Sequence, residues 1–360
     1  MQQRIAEKLT PQLLSMQAYH VPDRKGLIKL DAMENPYNWP PEMVDEWLDC
    51  LRQCTVNRYP DAGAAELKQR LRQIDGVADN LDLLLGNGSD ELILLLLMAV
   101  AKPGATVLAP TPAFVMYKQI ADSLGITFID VPLRSDDFGL DMPAMRLAIE
   151  QHQPSVIFLA YPNNPTGNLF SHSDMLEILQ CAPGIVVSDE AYAPFADASM
   201  LFVQDTYPSL LVMRTVSKLG LAGLRLGYLI GHPAWIQQLD KIRLPYNINT
   251  LTQVSAEFAL SKQSVFDQQS RQIKRDREQL IEALNTLGRC HAFPSSANFV
   301  LFHVDGIPVT EVFESLKDNA ILVKNLNTSH PLTRNCLRVT VGTSEQNKLF
   351  LDNLRMILEV

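Results

Sequence analysis

Short apolar runs that alternate with amphipathic segments constrain the fold of this chain most strongly. Seven of these runs have the length and composition of strands, at residues 81–85, 105–109, 126–131, 156–160, 185–188, 211–216 and 226–230. Segments predicted to be helical lie near residues 41–53, 63–74, 91–101, 113–124 and 141–151. Apolar runs of four to six residues between helices are typical of strands that are buried on both faces. The pattern predicts an α/β fold with a mostly parallel, seven-stranded sheet sandwiched by helices.

The pattern changes after Pro245, where a smaller α+β domain is predicted. Its elements are helices near residues 264–287, 309–319 and 344–358 and strands at 298–304, 321–324 and 337–341. A chain of 360 residues is long enough for two domains with separate cores. We expect residues 1–40 to form an N-terminal arm and part of the small domain, 41–248 the large domain, and 249–360 the small C-terminal domain.

Charge and composition limit the classes of partner. The formal net charge of −9 argues against nucleic acid or an anionic membrane, because both attract basic surfaces. The N-terminus lacks the apolar stretch of a signal peptide, and the longest apolar run, 92–101, is about half of what a bilayer crossing needs. The five cysteines form no CxxC pair and the histidines form no HExxH pair. We therefore expect a cytoplasmic protein with reduced thiols and no metal, membrane or nucleic-acid partner.

Three polar residues follow the ends of predicted strands, namely Asn164, Asp189 and Lys218. In open α/β sheets, ligands bind beyond the carboxyl ends of the strands, so these residues are expected in one crevice. Pyridoxal phosphate (PLP) chemistry needs an amine that holds the cofactor as an imine and an anion at the pyridine nitrogen. Lys218 and Asp189 match these two needs, and Asn164 and Tyr192 could bond the phenolic oxygen. Each residue alone is uninformative, but the ordered set favours a PLP enzyme.

A phosphate group requires backbone N–H groups at a helix start and a cation. The turn at residues 86–90 precedes an apolar helix and supplies Ser89 and Asp90, while Ser217 and Arg225 add a hydroxyl and a guanidinium. An ordinary turn with a helix cap remains the alternative. The turn is not a dinucleotide fingerprint, because Glu91 stands where GxGxxG requires its third glycine.

The sequence resembles the class I/II, fold-type I PLP-dependent aminotransferases, and within them the branch that acts on histidinol phosphate. The resemblance extends over nearly the whole chain. It is carried by residues 30–37 (LDAMENPY), 57–61 (NRYPD), 163–167 (NNPTG), 188–192 (SDEAY), 217–225 (SKLGLAGLR) and 336–343 (CLRVTVGT).

The resemblance implies a role for each residue that matches the family pattern. Lys218 would bind the cofactor and carry the proton between substrate and cofactor carbons, with Asp189 on the pyridine nitrogen. Asn164 and Tyr192 would bond the phenolic oxygen. Phe114 would stack on the pyridine ring, with a core phenylalanine as the alternative. The residues implied to hold the phosphate are Ser89, Asp90, Ser217 and Arg225, together with Tyr59 of the second subunit of a homodimer.

Arg338 matches the arginine that binds the carboxylate of glutamate and, in turn, the phosphate of histidinol phosphate, since a planar fork grips either anion. Tyr19 and Asn35 would line the substrate entrance, or make ordinary contacts of the arm. Lys324 stands where the family often has an arginine. It is therefore either a phosphate ligand or a solvated lysine at a strand end. The interval from Lys218 to Arg225 is also one residue shorter than in most members.

The implied reaction is transamination between L-histidinol phosphate and 2-oxoglutarate. It gives 3-(imidazol-4-yl)-2-oxopropyl phosphate and L-glutamate, in histidine biosynthesis. An aminotransferase for aromatic amino acids and a PLP-dependent decarboxylase of a phosphorylated amino acid remain alternatives, because the cofactor residues do not separate them. A PLP-binding regulator is disfavoured, since the chain has little room for a DNA-binding module and is acidic.

Overall fold

A computed structural model describes residues 1–18 and 25–359 of the chain. The helices are α1 Gln2–Ala6, α2 Pro11–Ser15, α3 Pro41–Arg52, α4 Ala65–Asp75, α5 Ser89–Val100, α6 Val115–Ser123, α7 Met142–His152, α8 His172–Cys181, α9 Pro233–Asp240, α10 Thr250–Ser261, α11 Gln263–Asn285, α12 Val309–Asp318 and α13 Ser344–Glu359. The strands are β1 Ile28–Lys29, β2 Asp82–Gly86, β3 Thr106–Thr111, β4 Thr127–Pro132, β5 Val156–Ala160, β6 Ile185–Asp189, β7 Leu210–Thr215, β8 Gly227–Gly231, β9 Cys290–Ala292, β10 Phe299–Val304, β11 Ile321–Leu322, β12 Lys324–Asn325 and β13 Cys336–Thr340.

The large sheet has seven strands in the order β2-β8-β7-β6-β5-β3-β4. Strands β3 to β7 pair in parallel, whereas β8 runs antiparallel to both β7 and β2. The predicted seven-stranded, mostly parallel sheet is therefore confirmed. Successive residues of β5 pack into separate apolar clusters, Ile157 with α7 and α8 and Phe158 with α5 and α6. Helices thus cover both faces of the sheet, which explains why its strands are apolar throughout.

The C-terminal part of the chain contains an antiparallel sheet of four strands, in the order β12-β13-β10-β9. A separate apolar cluster joins this sheet to α11, α12 and α13. Strand β1 from the N-terminal region pairs in parallel with β11, so the chain start adjoins this second sheet. The domain limits after residues 40 and 248 stay a prediction.

Helices α1, α2, α8, α9 and α10 are absent from the sequence-based prediction. Helices α8 and α9 are short, at 10 and 8 residues, so each presents few helical repeats. The buried face of α10 includes Thr252, Gln253 and Ser255, and these polar residues mask its amphipathic pattern. Across residues 1–18 and 25–359, no helix combines the length and the apolar character needed to cross a membrane.

Candidate active site

A cavity of about 110 Å³ opens at the carboxyl ends of β5, β6 and β7, beside the start of α5. This is the edge at which parallel strands present their following residues, as expected for an open α/β sheet. Many of the residues singled out in the sequence line it. The lining residues are Met33, Ser89, Asp90, Phe114, Ala160, Pro162, Asn164, Asp189, Ala191, Tyr192, Thr215, Ser217, Lys218 and Arg225.

Lys218 lies in the turn that follows β7, with its amine directed across the cavity. Its Nζ donates a hydrogen bond to the Ala32 carbonyl oxygen at 3.2 Å and lies 5.7 Å from the centre of the Tyr192 ring. Burial, followed by the nearby charge of Arg338, lowers the pKa of Lys218 to about 8. An amine with this pKa is partly neutral near neutral pH, so it can act as a nucleophile and as a base.

The short interval between Lys218 and Arg225 is accommodated by unusual backbone geometry. Gly220 has a φ of 128°, and Arg225 itself has a φ of 50°. The first angle is readily available only to glycine. The side-chain amide of Asn35 donates to the Leu219 carbonyl oxygen at 2.9 Å and to Gln269 Oε1 at 2.9 Å. Asn35 therefore braces the turn that carries Lys218.

Asp189 ends β6 and is almost fully buried beneath the cavity. The Tyr117 hydroxyl donates to its Oδ2, and the Ala191 N–H donates to its Oδ1 at 3.1 Å. Burial raises the pKa of Asp189 to about 6, and the hydrogen bond from Tyr117 opposes that rise. At neutral pH the group is therefore a buried anion whose two hydrogen-bond donors, Tyr117 and Ala191, are neutral, and it suits a positively charged ligand.

Asn164 and Tyr192 line the cavity, and a chain of hydrogen bonds joins them to Arg338. Asn164 Nδ2 donates to the Tyr192 hydroxyl at 3.2 Å, and Arg338 Nη1 donates to Asn164 Oδ1. Arg338 comes from β13 of the second sheet, and its Nη2 also donates to the Asp31 carbonyl oxygen at 3.0 Å. The second sheet therefore reaches the cavity through the hydrogen bond from Arg338 to Asn164.

Lys324 and Arg338 are direct neighbours across the β12–β13 pair. Burial, followed by the charge of Arg338, lowers the pKa of Lys324. Two cations placed side by side favour an anionic ligand, because an anion relieves their mutual repulsion. The geometry is compatible with the anion-binding role expected for both residues.

The start of α5 forms a concave cradle with Arg225. Gly88 has a φ of 85°, and a Cβ on this residue would lie 2.6 Å from Arg225 Nη2. Arg225 Nη2 also forms an ion pair with Asp90 Oδ2 at 3.2 Å. Ser217 Oγ accepts a hydrogen bond from Thr215 Oγ1 at 2.9 Å. Free N–H groups at a helix start together with a guanidinium make this cradle suitable for a phosphate.

Several residues singled out in the sequence lie elsewhere or contact other groups. Tyr59 is 80% exposed outside the cavity, and its ring stacks on Tyr246 with centroids 4.4 Å apart. Phe114 lines the cavity and packs edge-on against Tyr117 at 5.6 Å. Tyr19 lies outside the described residues. Within residues 1–18 and 25–359, no group of three or more His, Cys, Asp or Glu side chains could hold a metal ion.

Tyr117 is the main residue of the site that sequence reasoning missed. Its ring is fully buried and stacks on Phe158, with centroids 4.5 Å apart. The available signal was its position three residues after Phe114, because residues three apart share one face of a helix. The hydroxyl partner, Asp189, lies 72 residues away in the sequence, which no local pattern reveals.

The profile of the family described as aminotransferase class I and II matches residues 25–354. The chain belongs to the class I and II aminotransferases. This aminotransferase is 51% identical over 352 residues to histidinol-phosphate aminotransferase 2 of Nitrosococcus oceani, a match that covers 98% of each chain. It is 46% identical to histidinol-phosphate aminotransferase of Chromobacterium violaceum, again with 98% of each chain covered.

A solved structure has the same fold as this aminotransferase. The crystal structure of histidinol-phosphate aminotransferase from Sinorhizobium meliloti, in complex with pyridoxal-5'-phosphate, superposes with a TM-score of 0.86. The match covers 98% of each chain at 23% identity, so it supports the fold. The fold-type I architecture that the sequence predicted is therefore confirmed.

Proposed function

We propose that this chain is a histidinol-phosphate transaminase that acts in histidine biosynthesis. The enzyme transfers an amino group between L-histidinol phosphate and 2-oxoglutarate, giving 3-(imidazol-4-yl)-2-oxopropyl phosphate and L-glutamate. The observation that carries this function is the full-length likeness to histidinol-phosphate aminotransferases, at up to 51% identity over 98% of the chain.

The cofactor is pyridoxal 5'-phosphate, and the groups around the cavity suit it. Lys218 supplies an amine of lowered pKa, and Asp189 supplies a buried anion for a ring nitrogen. The lack of a Cβ at Gly88 lets the Arg225 guanidinium lie against the turn before α5, where a phosphate cradle needs a cation. When bound, the cofactor supplies a ring that accepts electrons from the substrate Cα.

Each residue of the cavity then has a physical task. Lys218 would hold the cofactor and, as a free amine, would take the proton from the substrate carbon and deliver it to the cofactor carbon. Asp189 keeps the ring nitrogen protonated, and Tyr117 and Ala191 orient its carboxylate. Asn164 and Tyr192 would bond the phenolic oxygen of the cofactor, and Phe114 would pack on its ring. The phosphate is held by Ser89, Asp90, Ser217 and Arg225.

Arg338 binds the anionic group of each substrate in turn, the carboxylate of glutamate and the phosphate of histidinol phosphate. Its buried guanidinium is held in place by the contacts to Asn164 and Asp31. Lys324, its neighbour across the strand pair, adds a second positive charge for the phosphate. Asn35 would border the entrance of the substrate site.

A screen of amino donors tests the proposed reaction. With 2-oxoglutarate as acceptor, we expect kcat/KM for histidinol phosphate to exceed that for phenylalanine by on the order of 10²-fold, because the phosphate ion pairs with Arg338 and Lys324. Glutamate formation is the measurement for both donors. A preference for phenylalanine would instead indicate an aminotransferase for aromatic amino acids. Release of CO₂ from a phosphorylated amino acid would indicate a decarboxylase.

The Arg338→Ala variant tests the shared anion site in the same screen. The proposed double duty of Arg338 means that activity with glutamate and with histidinol phosphate must fall together in this variant. Lys324→Ala must affect histidinol phosphate more than glutamate. A variant of Arg338 that loses only one of the two substrates would contradict the shared anion site.

The active unit is a homodimer in which Tyr59 reaches the cofactor phosphate of the partner subunit. An exposed patch of apolar side chains supports this assignment, formed by Tyr59 and its stacking partner Tyr246, with Val56 73% exposed and Leu244 71% exposed. Exposed apolar groups of this kind are typical of protein interfaces.

Subunit mixing tests the dimer and the role of Tyr59 together. We expect Tyr59→Ala and Lys218→Ala to be weakly active alone, and activity to appear when the two variants are unfolded and refolded together. A mixed dimer then contains one site with both Lys218 and the partner's Tyr59 intact. Sedimentation must give twice the chain mass of 40.3 kDa for each protein. A monomeric wild type, or mixing without recovery, would contradict the arrangement.

The reaction belongs to the biosynthesis of an amino acid, so we assign the enzyme to the cytoplasm. Fractionation of cells that produce the protein tests this assignment, and recovery with the membrane pellet would contradict it.

A further inference from the structure

The turn that leads into α5 is the part of the phosphate cradle with the least support from regular structure. Residues 86–88 connect the end of β2 to the first helical residue, Ser89. The Asn87 side chain is exposed, and the turn contains one internal hydrogen bond, from the Gly88 N–H to the Gly86 carbonyl oxygen at 2.8 Å. A turn of this kind needs additional contacts if its N–H groups are to keep one direction.

Glu91 supplies one such contact from within α5. Its Oε2 accepts a hydrogen bond from the Asn87 N–H at 2.6 Å. This bond resembles a capping box, in which an acidic side chain of the first helical turn reaches back to an N–H group ahead of the helix. Glu91 therefore occupies the Asn87 N–H group, whereas the N–H groups of Ser89 and Asp90 lie in the first turn of α5, where a helix supplies no acceptor of its own.

Asn247 supplies the second contact, from a segment far along the chain. Its Nδ2 donates both to Glu91 Oε2 at 2.8 Å and to the Leu85 carbonyl oxygen at 3.0 Å. Its Oδ1 accepts from Arg243 Nη1 at 2.9 Å, and Arg243 Nε donates to Asp240 at 2.7 Å. One amide thus joins the strand before the turn to the helix after it.

We propose that Glu91 and Asn247 are positioning residues that hold the turn at 86–88 in the conformation that binds the cofactor phosphate. The inference rests on the proposed function, since it assigns the phosphate of PLP to this cradle. Asn247 directly follows Tyr246, whose ring stacks on Tyr59. The brace and the expected contact between subunits therefore lie on one short segment.

The direction of the change in PLP affinity distinguishes a positioning role of Glu91 from a purely electrostatic one. A carboxylate beside a phosphate is repulsive, so if charge alone mattered, removal of Glu91 would tighten PLP binding. If Glu91 acts by positioning the turn, Glu91→Ala must weaken PLP binding. Glu91→Gln retains an oxygen that can accept both hydrogen bonds and removes the charge, so it must bind PLP at least as tightly as the wild type.

Titration of the apoenzyme with PLP and with pyridoxal, which lacks the phosphate, tests the proposal. Cofactor absorbance gives the two dissociation constants without any turnover. We expect Glu91→Ala and Asn247→Ala to raise the Kd for PLP on the order of tenfold and to leave the Kd for pyridoxal unchanged. Glu91→Gln should match the wild type for both compounds.

Asn249→Ala is the matched control, because Asn249 caps α10 through the Thr252 N–H at 2.9 Å in the same segment. This variant should lose some thermal stability and keep the wild-type ratio of PLP to pyridoxal affinity. Unchanged PLP binding by Glu91→Ala, or an equal loss for PLP and pyridoxal, would overturn the proposal. Failure of the wild type to bind PLP would instead contradict the proposed function.

Discussion

The Lys218→Ala variant should lose transamination by about 10⁴-fold or more, since it removes both the covalent attachment of the cofactor and the group that moves the proton. Among the described residues that line the cavity, Lys218 is the only lysine. The variant should also lack the absorption band of lysine-bound cofactor. Glutamate formation and a spectrum of the purified protein with added PLP are the measurements. Wild-type turnover in this variant would contradict the proposed mechanism.

Stability measurements separate this chemical effect from a folding defect, and Lys218→Met keeps the length of the side chain. The pKa of Lys218 is lowered from 10.5 to about 8 by burial, so the unfolded chain binds more protons than the folded chain between these values. The stability of the wild-type apoenzyme must therefore rise with pH across this window. Lys218→Met lacks this titratable amine, so its apoenzyme should be at least as stable as the wild-type apoenzyme at pH 7. Its stability should also rise less with pH.

Much of the fold follows from the pattern of apolar residues. Strand β5 has the predicted limits, 156–160, because a strand covered on both faces is apolar at every position. The reversed direction of β8 could not be predicted, since a fully apolar run carries no information on the direction of its neighbours. Helix α10 was missed because Thr252 and Ser255 lie on its buried face, where side-chain and backbone partners satisfy them only after folding.

The residues of the site also differ in how far the sequence predicts them. Some follow from the strand topology, and others depend on contacts between distant segments. Asn164, Asp189 and Lys218 follow neighbouring parallel strands, so the topology alone brings them together. Arg338 lies 174 residues after its partner Asn164 and on the other sheet, so only the resemblance to a family indicated its place. The contact between Glu91 and Asn247 spans 156 residues. Partners of this kind depend on how the segments pack, which residue periodicity does not encode.

The Asp189→Asn variant should lower kcat on the order of 10²–10³-fold, because it removes the anion that stabilises a protonated ring nitrogen. The amide has nearly the same shape as the carboxylate. Its oxygen can accept from the Ala191 N–H, and its NH₂ group can donate to the Tyr117 hydroxyl, which then acts as acceptor. Lys218 remains in place, so the cofactor should still bind. The rate of the half-reaction with glutamate, followed by cofactor absorbance, is the measurement.

The apoenzyme of the same variant gives an independent check on the charge of Asp189. Burial raises its pKa from 3.8 to about 6, so the folded chain holds this proton more tightly than the unfolded chain. The stabilising contribution of the protonated group is present below pH 3.8 and is lost as the pH rises through about 6. Asp189→Asn should lack this loss and be at least as stable as the wild type at pH 7. A kcat close to that of the wild type, with the cofactor bound, would show that the ring nitrogen does not depend on this carboxylate.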